Sequence, residues 1–581
     1  MFRFSVRENK AHLVKWREWG PEAFQEARSQ NKPVLLFLVA FWCGFCQRMD
    51  ETSLSNDEAI ALLNAFFVPI RVEESQRPDV DLRYNQNGWP TIACLTPAGD
   101  HIFSANYMEP DAFVDLLVKV VSLHQQGKQE ANAAVQGSPA SAMGDTADSA
   151  GEEEKPPLGP AIVAEIAGMV EGLADRVNGG YGAEFKFLHA EANDFLLYLY
   201  ETTGEAAFLE HVESTLDKMR LSPTFDSKDG GFFRYSSKAD WSEPHPEKLL
   251  DDQAALLRNY LRAFLLTEKS AHKEAAEGLI EYLDATLYHG PSRAFFGCQD
   301  YVRQADSAPA GQTAASAAMT PVIDRYVYCD ANARAVSAYL EAWWVLGRDD
   351  CLQRAKQVLE TLWQKLQATG GGMYHYWDGQ AQVAGLLEDS VATGGALLDA
   401  YAVLHEADYL RKAKELAQQV IRRHRNPSGG YYDISETGPA SLQFPITVLP
   451  QNARVAAFFV RLAALDGNPA HKEQAIWALE TFPNAHRRYG AFAAGFGHAL
   501  ARLLGSTVKV TVAGPPGHES VRALARAALT GLGCGDVVLR FRAQPQGSAP
   551  QAGVEVAGRT SRPITDPAAF NPQLAEALVQ G

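Results

Sequence analysis

Apolar positions follow two different rules along this chain. Up to about residue 125, short unbroken apolar runs alternate with amphipathic stretches. "PVLLFLVAF" is a continuous run of strand length, as expected for a strand buried on both faces, and "FVPIRV" reads as a second strand. "GPEAFQEARSQNK", opened by Gly20-Pro21, predicts a helix, as do "QRMDETSLSNDEAIALLNAF", "RPDVDLRYNQ" and "EPDAFVDLLVKVVSLHQ". "TIACLTPAGDHIFSA" predicts a hairpin turning at Ala98-Gly99-Asp100. Strands alternating with helices predict an α/β layer domain over residues 1–127.

Past residue 160 the period changes. Helical segments carry apolar residues at three- and four-residue spacing, as in "DDQAALLRNYLRAFLLTEKS", "NARAVSAYLEAWWVLG" and "NARVAAFFVRLAAL". Between helix pairs a phrase of glycine turn plus aromatics returns: "NGGYGAEFKF", "DGGFFRYSS", "SRAFFGCQD", "GGGMYHYWD" and "SGGYYDIS". A helix pair cannot bury its apolar face alone, so the pairs must stack or close into a ring. About six pairs fit between residues 161 and 505, which predicts an all-α (α/α)6 toroid with its aromatic loops gathered at one end of a central cleft. From residue 506 to 581, "TVKVTVAG", "HESVRALARAAL" and "DVVLRF" read as strand, helix and strand, a small α/β appendage. Residues 128–160, rich in Ala, Gly, Ser, Pro and acids, read as a flexible linker.

The length of 581 residues agrees with more than one domain. A net charge of −17 argues against nucleic acid and anionic membranes as partners, and no apolar run is long enough to span a bilayer. The start, "MFRFSVRENKAHLVKW", does not read as a secretory signal. Seven cysteines, an odd and sparse set, do not make a disulfide scaffold; a cytoplasmic location is expected.

Two of those cysteines carry chemistry. In "AFWCGFCQRMD" Cys43 ends a strand and begins a helix, where free backbone N–H groups and the helix dipole stabilise a thiolate. Cys43 would be the nucleophile, and Cys46, one turn along, would resolve a mixed disulfide. The residues alone also allow a reduced, buried pair or a zinc site, although no second Cys/His pair follows at a matching spacing. No metal and no cofactor are expected. The second concentration of polar residues is "GGFFRYSSKADWSEPHPEKLLDDQAALL", with "YHYWDG" and "LLEDS" beyond it. Rings that stack on sugar faces beside acids that bond hydroxyls suit a carbohydrate-like ligand. The candidate lining is Tyr235, Trp241, His245, Glu247, Asp251, His375, Asp378 and Glu388. For any one of these residues taken singly, capping or loop structure is the better explanation, and Asp251 and Asp252 are good helix N-terminus residues. Asn332 and Asn452, in the repeated phrase "NAR", read as helix caps.

Two resemblances build on these residues. "FWCGFC" with "GWPT" some forty residues on resembles thioredoxin. That likeness implies supporting roles for Trp42 and Pro90 beside Cys43 and Cys46, and a disulfide-bearing protein or a reductase as partner. It departs at Phe45, where thioredoxins usually have proline, and at Phe37, where they carry a buried aspartate that helps move protons. Together with "RPDVD", the long "GGFFRYSSKADWSEPHPEKLLDDQAALL", "ADS" at 305–307 and "VTVAG", the chain resembles the family of spermatogenesis-associated protein 20 and its bacterial thioredoxin domain-containing relatives. The resemblance implies a thioredoxin-like domain fused to a barrel similar to N-acylglucosamine 2-epimerase and six-hairpin glycosidases. The expected function is thiol–disulfide exchange joined to carbohydrate binding or modification. The alternatives are a sugar epimerase or glycoside hydrolase with a non-catalytic thioredoxin domain, or a non-enzymatic interaction protein.

Overall fold

The computed structural model describes residues 3–125, 157–303, 319–482, 484–514, 518–532, 536–544, 548–556, 558–571 and 574. The expected linker up to residue 156, the "ADS" at 305–307 and Cys534 lie outside the described residues. Packing divides the chain into two compact units. The first holds the described residues of Met1–Thr146, Asp300–Asp324 and Asp433–Ile446, and the second the rest.

The first unit is a four-stranded sheet with helices on it. In chain order it runs α1 (Pro21–Gln30), β1 (Val34–Val39), α2 (Gly44–Glu51), α3 (Asp57–Phe66), β2 (Val68–Glu73), α4 (Pro78–Tyr84), β3 (Thr91–Leu95), β4 (His101–Ala105) and α5 (Pro110–Gln125). The strand order is β2-β1-β3-β4, with β1 parallel to β2 and antiparallel to β3. Every residue of β1 is buried, which is why its sequence is apolar without alternation. One expectation needs correcting: the long helix after the cysteines is two helices. Asn56 breaks it, because its side chain accepts the N–H groups of Glu58 and Ala59 and starts α3 afresh.

The second unit is a closed double ring of helices. The inner helices are α7 (Ala190–Thr203), α9 (Leu250–Thr267), α11 (Cys329–Leu346), α13 (Leu387–Leu404), α15 (Leu449–Asp466) and α17 (Ala494–Leu504). Each packs on the next, and α17 packs back on α7. The outer helices are α6 (Pro160–Leu173), α8 (Ala206–Leu221), α10 (Ser270–Tyr282), α12 (Asp349–Leu366), α14 (Ala407–His424) and α16 (Pro469–Leu479). Short turns such as Gly347-Arg348 and His405-Glu406 follow the inner helices, and long loops precede them. The long loops therefore collect at the N-terminal ends of the inner ring. Within them the recurrent glycine phrase is a tight turn closed by a single bridge, Ala174 to Tyr181, Phe225 to Phe232, Gln367 to Met373 and Arg425 to Tyr431. Gly231 is obligatory in its turn: its φ is +77°, and a Cβ there would lie 2.7 Å from the Tyr282 ring.

The tail adds β5 (Thr507–Ala513), α18 (Glu519–Gly531), β6 (Asp536–Arg542) and β7 (Gln551–Val556), with β5 parallel to β6 and antiparallel to β7. Phe541 of β6 packs on Trp343 and Trp344 of α11. Among the described residues, no helix is long and apolar enough to cross a membrane.

Candidate functional site

In the first unit Cys43 is the N-cap of α2, and its Sγ accepts the backbone N–H of Cys46 at 3.1 Å. Neither cysteine is in a disulfide. Both are nearly enclosed, 6% and 3% exposed, among Val39, Ala40, Ile92 and Cys94. Burial and the neighbouring Cys43 push the Cys46 thiol well up, while the charge of Arg71 works against them. Burial also pushes Cys94 up to about 12, so it is a poor rival nucleophile. Trp42 meets Trp89 edge to face at 5.1 Å, and Trp89 is joined to Pro90 by a cis peptide bond. The Trp89 indole donates to Asp81 at 2.8 Å; burial nevertheless pushes Asp81 up to about 6. Phe45, in the place where thioredoxins usually have proline, is 56% exposed and leans on Tyr107. Gln47 donates to Asp300 at 3.2 Å, and burial raises Asp300 to about 6.

In the second unit the polar chemistry gathers at the first turns of the inner helices. Arg334 of α11 reaches Glu388 of α13 at 2.7 Å, Asp330 at 3.1 Å and Asp251 of α9 at 3.7 Å. Arg454 of α15 reaches the same Glu388 at 3.3 Å and Glu191 of α7 at 3.0 Å. The sixth inner helix makes room: a Cβ on Gly495 would come within 3.1 Å of the Glu191 carboxylate. Acids in first turns are favoured by the helix dipole, and the arginines one turn deeper are held by those acids. Asp252, crowded by burial and then by Asp251, is raised to about 8 and keeps its proton at neutral pH. His375 Nδ1 lies 3.0 and 3.1 Å from the two oxygens of Asp389. Burial raises Asp389 to about 6 despite the imidazole. Asp330, His375 and Asp389 bring one ligand atom each within 4.8 Å of one another. That donor set suits a divalent cation. Arg334 already balances Asp330 and the imidazole already faces Asp389, so the arrangement equally serves as a positioned proton-transfer dyad.

Aromatic rings gather in the loops that precede the inner helices. Phe187, Tyr235 and His245 form a stack, with centroids 5.1 and 4.0 Å apart and planes 19° apart in each pair. Tyr326, Tyr328 and Tyr376 cluster near His375.

The expected lining residues are therefore not all in one place. Asp251, His375 and Glu388 carry the charged network, and Tyr235 and His245 form the stack. Glu247 is 2% exposed beside Arg234 at 3.8 Å and sits behind the surface. Trp241, expected to line the cleft, does not. It is 1% exposed, its indole donates to the Asn178 carbonyl, and its ring closes over Gly180. Asp378 is exposed at the tip of the hairpin formed by Tyr374–Trp377 and Ala381–Ala384, where it accepts the Gln380 N–H. Asn332 and Asn452 are not caps. Each side-chain amide pairs with both the N–H and the carbonyl of one loop aromatic, Phe295 and Tyr431 respectively, as Gln253 does with Phe232. Sequence reasoning pointed to Asp389 only through "LLEDS" and missed Glu191, Asp330, Arg334 and Arg454. The repeated "NAR" was the available signal, because two positions on from the clamping Asn the helix has turned about 200° and presents Arg to the interior.

Comparisons with known proteins agree with the resemblance. Residues 4–139 match a family model, Thioredox_DsbH, described as "Protein of unknown function, DUF255". The chain is 29% identical over 314 residues to human spermatogenesis-associated protein 20, covering 51% of this chain and 39% of that protein. An uncharacterized Caenorhabditis elegans protein, B0495.5, is 29% identical over 321 residues, 51% of this chain and 42% of its own length. The matched stretch thus spans less than half of these relatives. Among solved structures, a cellobiose 2-epimerase from Bacillus thermoamylovorans aligns with 12% identity over 55% of this chain and 87% of its own, at a TM-score of 0.45. A D-mannose isomerase aligns with 14% identity over 56% and 87%, at 0.44.

Proposed function

We propose that the chain is a thiol–disulfide oxidoreductase, fused to a barrel that binds a carbohydrate-like ligand. The observation that carries the redox half is the Cys43 sulfur at the start of α2, accepting the Cys46 N–H. A sulfur so placed, at the start of a helix, has the position of an attacking nucleophile, and the second cysteine lies within the same turn to resolve the mixed disulfide. The physiological partner is a disulfide-bearing protein or a reductase, and a cytoplasmic location belongs to this reading. The barrel half is supported by solvent-reached charges at the end of the ring where aromatic loops also gather: Arg334 and Arg454 keep 30% and 37% of their side chains exposed although each is gripped by acids. Polyhydroxyl ligands use that combination, with rings on their apolar faces and ionised groups on their hydroxyls.

Insulin reduction by the full chain tests the redox half. Cys43→Ser is expected to bring the rate to background, with thermal melting unchanged. A variant that retains the wild-type rate would remove Cys43 from the chemistry. For the barrel, a sugar and sugar-phosphate binding screen on the full chain, repeated with Glu388→Gln, is expected to give a ligand whose affinity the substitution lowers at least tenfold.

A further inference from the structure

Six residues before Cys43, where the likeness to thioredoxin implies a buried aspartate, stands Phe37, wholly buried. The strand register sets Arg71 of β2 opposite Phe37 of β1. The Arg71 guanidinium lies 5.1 Å from the Phe37 ring centre, 4.7 Å from that of Phe4 and 5.7 Å from that of Trp16. It is held there by Asp50, whose two oxygens accept Arg71 Nη1 and Nη2 at 2.8 and 3.0 Å. The Ser5 N–H adds a third donor to the same carboxylate at 3.0 Å. Asp50 follows Cys46 by one helical turn, and both are on the buried face of α2. The acid on this buried face, Asp50, has both its oxygens occupied by donors. Among the charges that act on the Cys46 thiol, the Arg71 cation favours its thiolate, against burial and the neighbouring Cys43. In so dry a setting a fixed charge acts over longer distances than in water.

We propose that Arg71, positioned by Asp50, supplies the buried positive charge that stabilises the Cys46 thiolate when it resolves the mixed disulfide, in place of an acid that would take up its proton. The inference rests on the thiol–disulfide reading above. In the first step the Cys43 thiolate attacks one sulfur of a partner disulfide. The partner S–S bond breaks, a Cys43–partner bond forms, and the other partner sulfur leaves as thiolate. Cys46 then gives its proton to that departing thiolate or to water. The Cys46 thiolate attacks Cys43 Sγ, the mixed disulfide breaks, and the second partner sulfur leaves. Two electrons have passed from the two cysteines to the partner. Arg71 touches none of the reacting atoms; it is a positioning residue acting on the second step alone. A nearby opposite charge moves a thiol titration by roughly one to three units. The lost thiolate fraction is partly offset by the greater nucleophilicity of a more basic sulfur, so each unit slows attack only about threefold.

The test is a two-phase single turnover of the full chain with dithiobis(nitrobenzoate), with Cys43→Ser as the background. The first nitrobenzoate thiolate reports attack by Cys43, and the second reports attack by Cys46. Arg71→Met is expected to slow the second phase by about three- to thirtyfold and displace its rise to higher pH, leaving the first phase within twofold. Arg71→Lys should keep most of the wild-type second phase. Asp50→Asn, which leaves the cation unneutralised, should accelerate it. A folded Arg71→Met with an unchanged second phase overturns the proposal. So does an Asp50→Asn that slows the second phase as Arg71→Met does, since that marks a purely structural pair. Should Arg71→Met fail to fold, the direction of the Asp50→Asn effect decides. A wild-type chain with no Cys43-dependent first phase would instead refute the redox reading itself.

Discussion

In the first unit, Arg71 and Asp50 keep 4% and 2% of their side chains exposed, among phenylalanine and tryptophan rings. In the toroid, Arg334, Glu388 and Arg454 keep 30%, 16% and 37% while gripping one another. The two settings solve different problems. A dry pair suffers full desolvation, so it persists only with saturated hydrogen bonds, which the bidentate contact and the Ser5 N–H provide. It cannot rearrange, and that suits a fixed field around a sulfur. The toroid network shares each charge among several partners and water, so single contacts there are weak and replaceable by a ligand's groups.

Breaking each network should expose that difference. The largest effect is expected from Arg71→Met, which strands the Asp50 carboxylate. It should cost on the order of 3–5 kcal/mol in denaturant unfolding. The cost should be the same at 0.05 and 1 M salt, because ions do not reach the pair; a loss that halves in salt would show that water does. Next is Glu388→Gln, which leaves Arg334 and Arg454 without their shared acid. Here roughly 1–2 kcal/mol is expected at low salt, falling markedly at 1 M. Salt independence would make this network as dry as the other.

Asp252 gives a smaller, pH-dependent effect. Its folded-state titration, near 8, lies above the ordinary aspartate value of 3.8. The folded chain therefore holds this proton more tightly than the unfolded one, and stability from this group is lost as pH rises from about 4 to about 8. Asp252→Asn should melt like the wild type at pH 4 and above it at pH 9. An equal shift at both pH values would mean that the carboxyl is ionised throughout. The smallest effect is expected from His245→Ala. Partly exposed in the ring stack, it should change stability by no more than about 0.5–1 kcal/mol. A larger loss would move His245 from the cleft wall into the core.

The elements were readable because their signals are local. The unbroken apolar run of β1 and the Cys43 helix start, like the three- and four-residue spacing in α9, α11 and α15, report on burial within one element. Two misreadings arose from side chains whose role depends on a distant partner. Asn332 sits near a helix start and looked like a cap, but its amide is spent on Phe295, 37 residues earlier. Trp241 looked like a sugar platform, but it fills the space that Gly180 leaves open.

By itself the sequence determined the two classes of unit, most of their helices and strands, the helix start at Cys43 and the loops that carry the polar chemistry. Only the tertiary structure decided which charges meet. Helical periodicity assigns a residue to a face of its own helix, but it does not say which helix that face will see. Ring closure does: it brings Arg454 to Glu191 across 263 residues and lets Arg334 and Arg454 share Glu388. The register of β2 on β1 likewise puts Arg71 against Phe37, and the placing of α2 gives it Asp50. Each of these partnerships depends on distances between elements, a quantity that no local pattern encodes.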